Sequence, residues 1–341
     1  MRTGRVDRGS ALPTLSVIIP CCNTARFVCD AVRSVVDQGG PGVECLLVDD
    51  GSTDGSAELV RAAFGSRVRI VRQENQGVAA ARNRGFREAA GELIAWLDAD
   101  DMLAPGTLPA RRAAFAADPR LEMLLGQVRV VDIETGVEEV SPQRCDADYL
   151  VRDLLARTNL PHLNVLTFRR DAVARLGPFD GSLRNVDDFD YWIRAFAALR
   201  WRFARQVQST QRIGTFPSLS RSVSKAVMYG RVGEVLRKNR GLLGRATGSD
   251  RPWRRGYSRF AADFALVFLR RGERAGARRW AATAIVRAPL AVERRAWKYL
   301  LESVLPGPAY RVGRAAVRVL NRLRPARRGG KRSRHPAGGA A

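Results

Sequence analysis

The chain has 341 residues, of which 45% are hydrophobic, and its formal net charge is +24. This length allows one large domain with an appendage or two domains, and the hydrophobic fraction is sufficient for a core. No stretch reaches the roughly 18 apolar residues of a membrane-spanning helix, and the basic N-terminus lacks the apolar region of a signal peptide. We therefore do not expect an integral membrane protein, and the sequence predicts a cytoplasmic one.

The five cysteines are odd in number and show neither CxxC nor Cys/His metal-binding spacing. This usage favours small buried side chains in a reducing compartment over a disulfide framework. The predicted location is the cytoplasm, and peripheral attachment at the inner face of the cell membrane stays open.

The positive charge is concentrated towards the C-terminus. Residues 251–341 hold 23 of the 58 Lys and Arg residues but only 4 of the 34 acidic residues. Such a region suits an anionic partner, either lipid or nucleic acid. Within a helix predicted at 309–323, arginines recur every three or four residues, which is typical of an amphipathic helix on an anionic membrane surface. A helix packed on its neighbours with a solvated arginine face explains the pattern equally well.

Strands and helices alternate along the first 120 residues. Apolar runs predict strands at 15–19, 43–48, 68–71 and 93–97. Helical spacing and capping residues predict helices at 26–36, 54–64, 77–90 and 105–117. Because the strands are continuously apolar and separated by helices, they predict a parallel sheet covered on both faces.

The rest of the chain divides by composition. After a flexible leader at 1–12, an α/β domain is predicted at 13–222, with further strands and turns near 120–150. A basic α-helical region follows at 223–324, with helices predicted at 223–243, 253–271, 275–287, 292–305 and 309–323. The remaining residues, 325–341, are too polar to form a core and are predicted to be disordered.

Polar clusters follow three of the predicted strands, at residues 20–23, 49–52 and 98–101. In open α/β sheets, ligands bind at the carboxyl ends of the strands, so these clusters are expected to meet. The last cluster reads Asp-Ala-Asp-Asp, and crowded carboxylates raise each other's pKa. A divalent cation such as Mg²⁺ or Mn²⁺ relieves that repulsion and can also hold a diphosphate. Taken alone, each acidic cluster is more typical of a turn, a helix cap or a solvated loop than of a ligand site.

Four segments together resemble the inverting family-2 glycosyltransferases with the GT-A fold. They occur in the order and at the spacing of that family, and they read SVIIPCCN at 16–23, VDDGSTD at 48–54, NQGVAAARNRG at 75–85 and LDADD at 97–101. The resemblance covers residues 15 to about 220. It implies a Rossmann-like, nucleotide-sugar-binding domain with a mostly parallel sheet flanked by helices, followed here by the α-helical C-terminal appendage.

The resemblance also implies roles for individual residues. Asp50 is expected to contact the nucleotide base, and Asp98 the nucleotide sugar or the ion. Asp100 is expected to ligate Mg²⁺ or Mn²⁺. Arg82 lies where the family often places a basic residue near the donor, although an ion pair with acids at the sheet edge explains it equally well.

The segment 185–194 (NVDDFDYWIR) resembles the family's acidic pair before an aromatic helix, whose second acid is the catalytic base. That role falls on Asp188, which would accept the proton of the attacking acceptor hydroxyl. Two different interpretations stay open, namely Asp190 as base, or an acidic helix N-terminus with no catalytic part. Trp192 is expected in the core, although a place beside the acceptor sugar is also compatible with the sequence. Three departures from the family are Cys22 in place of Tyr, Asp187 in place of Glu, and no His at 212–220.

The function that these features predict is transfer of a sugar from a nucleotide-diphospho-sugar to an acceptor hydroxyl. The acceptor is expected to be a glycan or a lipid-linked molecule in cell-surface polysaccharide or glycolipid synthesis. A nucleotidyltransferase of similar fold would need a Gly-rich phosphate loop, which residues 20–24 do not form. The competing hypotheses are a nucleic-acid-binding protein and an inactive transferase-like scaffold. No nucleic-acid partner is expected, because the basic residues lie outside the α/β part and form no recognised motif.

Overall fold

A computed structural model of the protein describes residues 12–140, 162–214, 225–287 and 294–304. Several predicted features lie outside these residues. They are the leader up to residue 11, residues 215–220 of the segment 212–220, the helix at 309–323 and the basic tail at 325–341.

The described strands belong to one sheet. Their bounds are β1 Leu15–Cys21, β2 Val43–Asp50, β3 Arg69–Gln73, β4 Leu93–Trp96, β5 Met102–Leu103, β6 Met123–Asp132, β7 Glu138–Val140, β8 Leu166–Arg169 and β9 Trp201–Ile213. The strand order is β3-β2-β1-β4-β8-β6-β9-β5, and β7 pairs with the outer part of β6. The four predicted strands are thus confirmed as neighbours at one end of the sheet.

The helices flank this sheet and then continue as a C-terminal series. Their bounds are α1 Val28–Val36, α2 Ser56–Phe64, α3 Val78–Glu88, α4 Thr107–Ala117, α5 Arg170–Leu176, α6 Asp187–Ala198, α7 Lys225–Lys238, α8 Arg240–Thr247, α9 Arg251–Arg270, α10 Arg274–Arg287 and α11 Arg294–Val304. The single helix predicted at 223–243 is therefore two helices that meet at Asn239. Within the described residues, every helix is too short or too polar to cross a membrane.

The sheet is parallel in its first half and mixed in its second. Strands β1 to β4 pair in parallel, whereas β8 runs antiparallel to both β4 and β6. The long β9 then pairs parallel with β6 and antiparallel with β5. The predicted α/β class is confirmed. The second half of the sheet begins with β8, which pairs with β4 on the side away from β1.

Helix α3 lies unusually close to the sheet. A Cβ atom added to Gly85 would lie 2.2 Å from Ile18 Cγ2 and 3.2 Å from Val48 Cγ2. Only glycine permits this approach of a helix to two buried strands. The start of α3 lies at the carboxyl end of β2, where Asp50 accepts the Gly77 N–H at 2.8 Å.

The C-terminal helices share the core of the α/β part. Val232 and Val235 of α7 and Trp253 of α9 belong to the same buried cluster as Trp96 of β4 and Trp192 of α6. Burying apolar surface across this contact favours a joint fold, at roughly 25 cal/mol per Å². The division of the chain at residue 222 stays a prediction.

Candidate functional site

The loops that follow β1 and β2 are joined by hydrogen bonds. The backbone N–H of Asn23 donates to Ser52 Oγ at 3.1 Å, and Thr53 N–H donates to Asn23 Oδ1 at 2.8 Å. Asn23 has a φ of 53°, a left-handed conformation that asparagine tolerates better than most residues. Two of the predicted polar clusters therefore form one surface at the carboxyl edge of the sheet.

Asp50 ends β2 and holds the start of α3. Its Oδ1 accepts hydrogen bonds from Gln73 Nε2 at 2.7 Å and Gln76 N–H at 2.9 Å. Its Oδ2 accepts from Gly77 N–H at 2.8 Å. These bonds use three of the about four acceptor positions of a carboxylate, and the residue is 2% exposed. Contact of Asp50 with a nucleotide base remains a prediction, and the structure adds a positioning role for the loop before α3.

Cys22 takes the place where the resemblance expects a tyrosine. Its Sγ accepts a hydrogen bond from Asn75 Nδ2 at 3.1 Å. Burial, together with the nearby Asp50 and Asp49 carboxylates, raises the pKa of this thiol. The group is therefore a neutral thiol at neutral pH and presents a small, soft surface where an aromatic ring would be broad and flat.

Arg82 joins two parts of the site. One terminal nitrogen of its guanidinium lies 3.0 Å from Asp98 Oδ1, and the other lies 2.9 Å from Asp187 Oδ2. The group also lies over the ring of Phe179, at 5.4 Å from its centroid. Burial opposes the charge, but the neighbouring carboxylates outweigh it and raise the pKa of Arg82. The end of β4 and the start of α6 therefore share one cleft beside α3.

Asp98 is partly exposed beside Arg82 and lies near Asp100, whereas Asp101 is held by the protein. The Asp101 carboxylate accepts hydrogen bonds from Asn164 Nδ2 at 2.6 Å and Arg212 N–H at 2.8 Å. Within the described residues, no other side chain donates a hydrogen bond to the carboxylate of Asp100. Burial and the Asp98 charge raise the pKa of Asp100 to about 6. Asp100 is therefore left for a ligand, while Asp98 shares one carboxylate oxygen with Arg82.

Sequence reasoning did not identify Asn164 and Arg212 as part of the site. Asn164 is fully buried and also accepts the Asp98 N–H at 2.9 Å through Oδ1. Arg212 donates from Nε to the Asp100 carbonyl at 2.6 Å and forms an ion pair with Asp30 at 2.9 Å. Both residues come from strands or turns far along the chain, so spacing alone gave no signal.

His162 is half-buried near Asp98. Burial lowers the pKa of this imidazole, against the opposing influence of the Asp98 carboxylate. The imidazole is therefore neutral at neutral pH.

Asp188 is the half-buried acid at the N-terminus of α6. Burial, followed by repulsion from Asp187, raises the pKa of its carboxyl to about 7, with Arg82 acting in the opposite direction. A base with a pKa near the working pH is the most effective in proton transfer. Asp190 is different, because it is fully buried and bound to Arg194, Lys238 and Asn239. The geometry therefore favours Asp188 over Asp190 as a base, and Trp192, 5% exposed, packs in the core.

The acids at the end of β4 fit a cation that shares its ligands with a substrate. Within the described ranges, no group of three or more His, Cys, Asp or Glu side chains is arranged to hold a metal. Mg²⁺ is commonly bound by only one or two carboxylates, with phosphate oxygens and waters completing the octahedron. Asp98 and Asp100 provide such a partial set. Binding of Mg²⁺ or Mn²⁺ thus remains a prediction, and the positions of these two carboxylates are compatible with it.

Residues 16–173 match the family described as Glycosyl transferase family 2. A PGL/p-HBAD biosynthesis glycosyltransferase of Mycobacterium tuberculosis is 31% identical over 191 residues, which is 55% of this chain and 71% of the relative. An uncharacterized glycosyltransferase of Nostoc is 30% identical over 177 residues, or 49% of this chain. The chain spans only about half of the Nostoc protein, since the match covers 54% of it.

The fold resembles that of a solved structure of the protein TarS. Residues 1–349 of Staphylococcus aureus TarS, in complex with UDP-GlcNAc, superpose with a TM-score of 0.65 at 17% identity, covering 90% of this chain and 92% of that one. The predicted GT-A fold is confirmed. The chain belongs to glycosyl transferase family 2.

Proposed function

We propose that the protein transfers a sugar from a nucleotide-diphospho-sugar to an acceptor hydroxyl, with inversion at the anomeric carbon. The observation that carries this proposal is the position of Arg82, between Asp98 at 3.0 Å and Asp187 at 2.9 Å. This contact brings the donor-side acids and the proposed base together. TarS, which has the same fold, was solved in complex with UDP-GlcNAc and in complex with UDP. These ligands support a nucleotide-sugar donor for this protein.

Asp188 acts as the catalytic base in this proposal. The acceptor hydroxyl loses its proton to the Asp188 carboxylate as the hydroxyl oxygen attacks the anomeric carbon. The bond from that carbon to the nucleotide diphosphate breaks in the same displacement, and the diphosphate leaves with the bonding electrons. Attack from the side opposite the leaving group inverts the configuration through an oxocarbenium-like transition state.

The donor lies across the carboxyl edge of the sheet. Asp50 contacts the nucleotide base beside Cys22, and Asp98 contacts the nucleotide sugar or the ion. Asp100 ligates Mg²⁺ or Mn²⁺, which supplies Lewis-acid stabilisation to the departing diphosphate when bound. Arg82 holds Asp98 in place and keeps a positive charge near the donor.

The acceptor is a glycan or a lipid-linked molecule in cell-surface polysaccharide or glycolipid synthesis. The name of the mycobacterial relative, a glycosyltransferase of PGL/p-HBAD biosynthesis, supports this class. The basic helices α9 and α10 suit an anionic membrane surface, and this supports our proposal of a cytoplasmic protein at the inner face of the cell membrane.

A thermal-shift experiment tests the donor and the metal. The protein is heated with UDP, UDP-GlcNAc and other nucleotide-sugars, each with and without Mn²⁺ or Mg²⁺. A ligand at about 100 times its Kd stabilises the folded state by about 2.7 kcal/mol, so we expect Tm to rise by several degrees. Asp100→Ala should lose the metal-dependent part of that rise.

The matched control is Asp37→Ala, which removes an exposed acid just beyond the end of α1, away from the carboxyl edge. It should respond to donor and metal as the parent protein does. If no nucleotide-sugar raises Tm with any divalent cation, the proposed function is wrong. If the rise is the same without metal, only the metal assignment is wrong.

A further inference from the structure

Helix α7 and the residue after it contact the segment that leads into α6 and the proposed base. Three hydrogen bonds, each of 2.7 Å, link the two parts of the chain. They join Lys238 Nζ to Asp180 Oδ2, Arg231 Nη1 to the Arg184 carbonyl, and Asn239 Nδ2 to Asp190 Oδ1. The C-terminal helices therefore touch the base-bearing segment at its beginning, middle and end.

Asp190 is the centre of these contacts. Its carboxylate is fully buried and accepts from Arg194 Nε at 2.9 Å and Lys238 Nζ at 3.2 Å, in addition to Asn239. A buried carboxylate is tolerated only when it is paired and hydrogen-bonded, and removal of a partner leaves an uncompensated charge. Two of the three side chains that satisfy Asp190 come from the C-terminal region.

The contact acts on the base through the geometry of α6. Asp188 and Asp190 are two residues apart, and an α-helix turns by about 100° per residue, so their side chains leave the axis about 200° apart. By the same rule, Asp190 lies only about 60° from Asp187, which Arg82 binds at 2.9 Å, so this face of α6 is held both by Arg82 and by the α7 side of the contact. Because the helix is rigid, holding Asp190 sets the rotation of α6 and with it the direction of Asp188.

The backbone before α6 adds a second constraint. Asn185 has a φ of 66°, a left-handed conformation in the turn just ahead of the helix. Such a residue persists only where its surroundings hold it. Arg231 binds the carbonyl of the preceding residue, Arg184, and so supports this turn from α7.

We propose that Lys238 and Asn239 are positioning residues for the catalytic base. The C-terminal helices are then a working part of the catalytic site, and not only an appendage that serves attachment. This inference rests on the proposed function, in which Asp188 accepts the acceptor proton. It assigns to Lys238 and Asn239 a role that acts through Asp190 and the axis of α6, without contact with substrate.

The kinetic test compares Lys238→Met and Asn239→Ala with the parent protein in hydrolysis of UDP-GlcNAc in the presence of Mn²⁺. A misplacement of about 1 Å can cost about 10²-fold in rate, so we expect kcat to fall by about 10- to 100-fold. The KM for UDP-GlcNAc and the Kd for UDP by calorimetry should stay within about twofold of the parent values, since the donor side is untouched. Lys238→Arg should restore most of kcat, because Arg retains a cation that reaches both carboxylates.

The matched control is Arg237→Ala. Arg237 is adjacent, exposed and basic, and its Nε donates to the Gly233 carbonyl of its own helix at 3.2 Å. Its removal takes one positive charge from α7 without touching the base-bearing segment, so kcat should be unchanged. Full activity in Lys238→Met and Asn239→Ala would overturn the inference, and so would an equal loss of UDP affinity and kcat.

Hydrogen exchange keeps this test separate from the proposed function. If the parent protein hydrolyses no nucleotide-sugar, the donor assignment fails, but amide exchange in residues 180–192 still reports on the contact. Exchange there should be faster in Lys238→Met and Asn239→Ala than in Arg237→Ala. Unchanged exchange in these peptides would show that α7 does not hold the segment, whatever the reaction is.

Discussion

Arg82 carries a charge that is almost surrounded by protein. Its side chain is 8% exposed and contacts Asp98 and Asp187 on opposite sides. Removing one partner of a buried ion pair costs about 3–5 kcal/mol, since the remaining charges lose their compensation. Substitution of Arg82 would thus disturb the fold, the donor side and the base side together. A clean test of the chemistry needs a residue whose loss changes the reaction alone.

Asp188 offers a cleaner test than Arg82, and its pKa predicts the pH dependence of the reaction. Burial and the neighbouring Asp187 raise its pKa to about 7. The base works only when ionised, so kcat should rise through about pH 7 and level off above it. Asp188→Asn should lower kcat by about 10²- to 10⁴-fold and remove this rise. Steady-state rates of donor turnover from pH 5.5 to 9 measure both effects, with Asp171→Asn, an exposed acid, as the unaffected variant.

The free energy of unfolding of Asp188→Asn is the control, because it separates a loss of catalysis from a loss of folded protein. An aspartate that ionises near pH 4 in the unfolded chain and near 7 in the folded one favours folding while it is protonated. Its contribution is complete below pH 4 and is lost as the pH rises through about 7. Asp188→Asn should therefore match the parent at pH 4 and exceed it at pH 8, by at most about 4 kcal/mol. An inactive variant that is destabilised at both pH values would speak against a catalytic role.

At the scale of elements, the close approach of α3 to the sheet predicts the effect of a methyl group. Gly85→Ala would place a Cβ 2.2 Å from Ile18 Cγ2, within a helix that also begins at the Asp50 contact. Overpacking of a core typically costs about 1–3 kcal/mol, so we expect that loss in the free energy of unfolding by urea. Gly230→Ala of α7 is the comparison, since its Cβ meets nothing within 4 Å. It should be neutral or stabilise by about 0.4–1 kcal/mol, and a Gly85→Ala protein equally stable would disprove the close packing.

The elements that the sequence predicted best are those with local signals. The apolar runs of β1, β2 and β4 place each strand within a few residues, because these strands are largely buried. The edge strand β3 is partly exposed, and its shorter apolar core was still sufficient to locate it. The acids at the strand ends followed from the same pattern, since a parallel sheet brings its carboxyl ends to one edge. Their meeting with the N-terminus of α6 came from the family resemblance rather than from spacing.

The features that the sequence missed depend on distant partners. The direction of β8 and β9 is set by pairing with β4 and β6, across separations for which hydrophobic periodicity carries no information. Asn164 and Arg212 satisfy Asp101 from strands or turns that are far away in sequence. Asn239 lies between α7 and α8, and its side-chain amide donates to Asp190 Oδ1. Local sequence patterns carry no information about such a contact between distant residues.

At the scale of the whole molecule, one core joins the sheet to the C-terminal helices. Trp253 packs in the same cluster as Trp96, and its indole N–H donates to the Leu236 carbonyl at 2.6 Å. A rigid connection of this kind transmits the orientation of any surface on α9 or α10 to the cleft. If these helices lie on a membrane, the cleft is held at a fixed distance and angle from the lipid.

The exposed arginines of α10 predict that the protein binds to an anionic membrane surface. Arg274, Arg278 and Arg279 are exposed, and each basic residue near an anionic surface adds about 1 kcal/mol. Replacing all three with Gln should weaken binding to phosphatidylserine-containing vesicles by about 100-fold in a flotation experiment, and salt should weaken the parent in the same way. The control replaces Arg61, Arg67 and Arg120, exposed residues of the α/β part, and should bind as the parent does. Equal flotation with neutral and anionic vesicles would exclude an electrostatic membrane surface and leave the basic helices without a lipid partner.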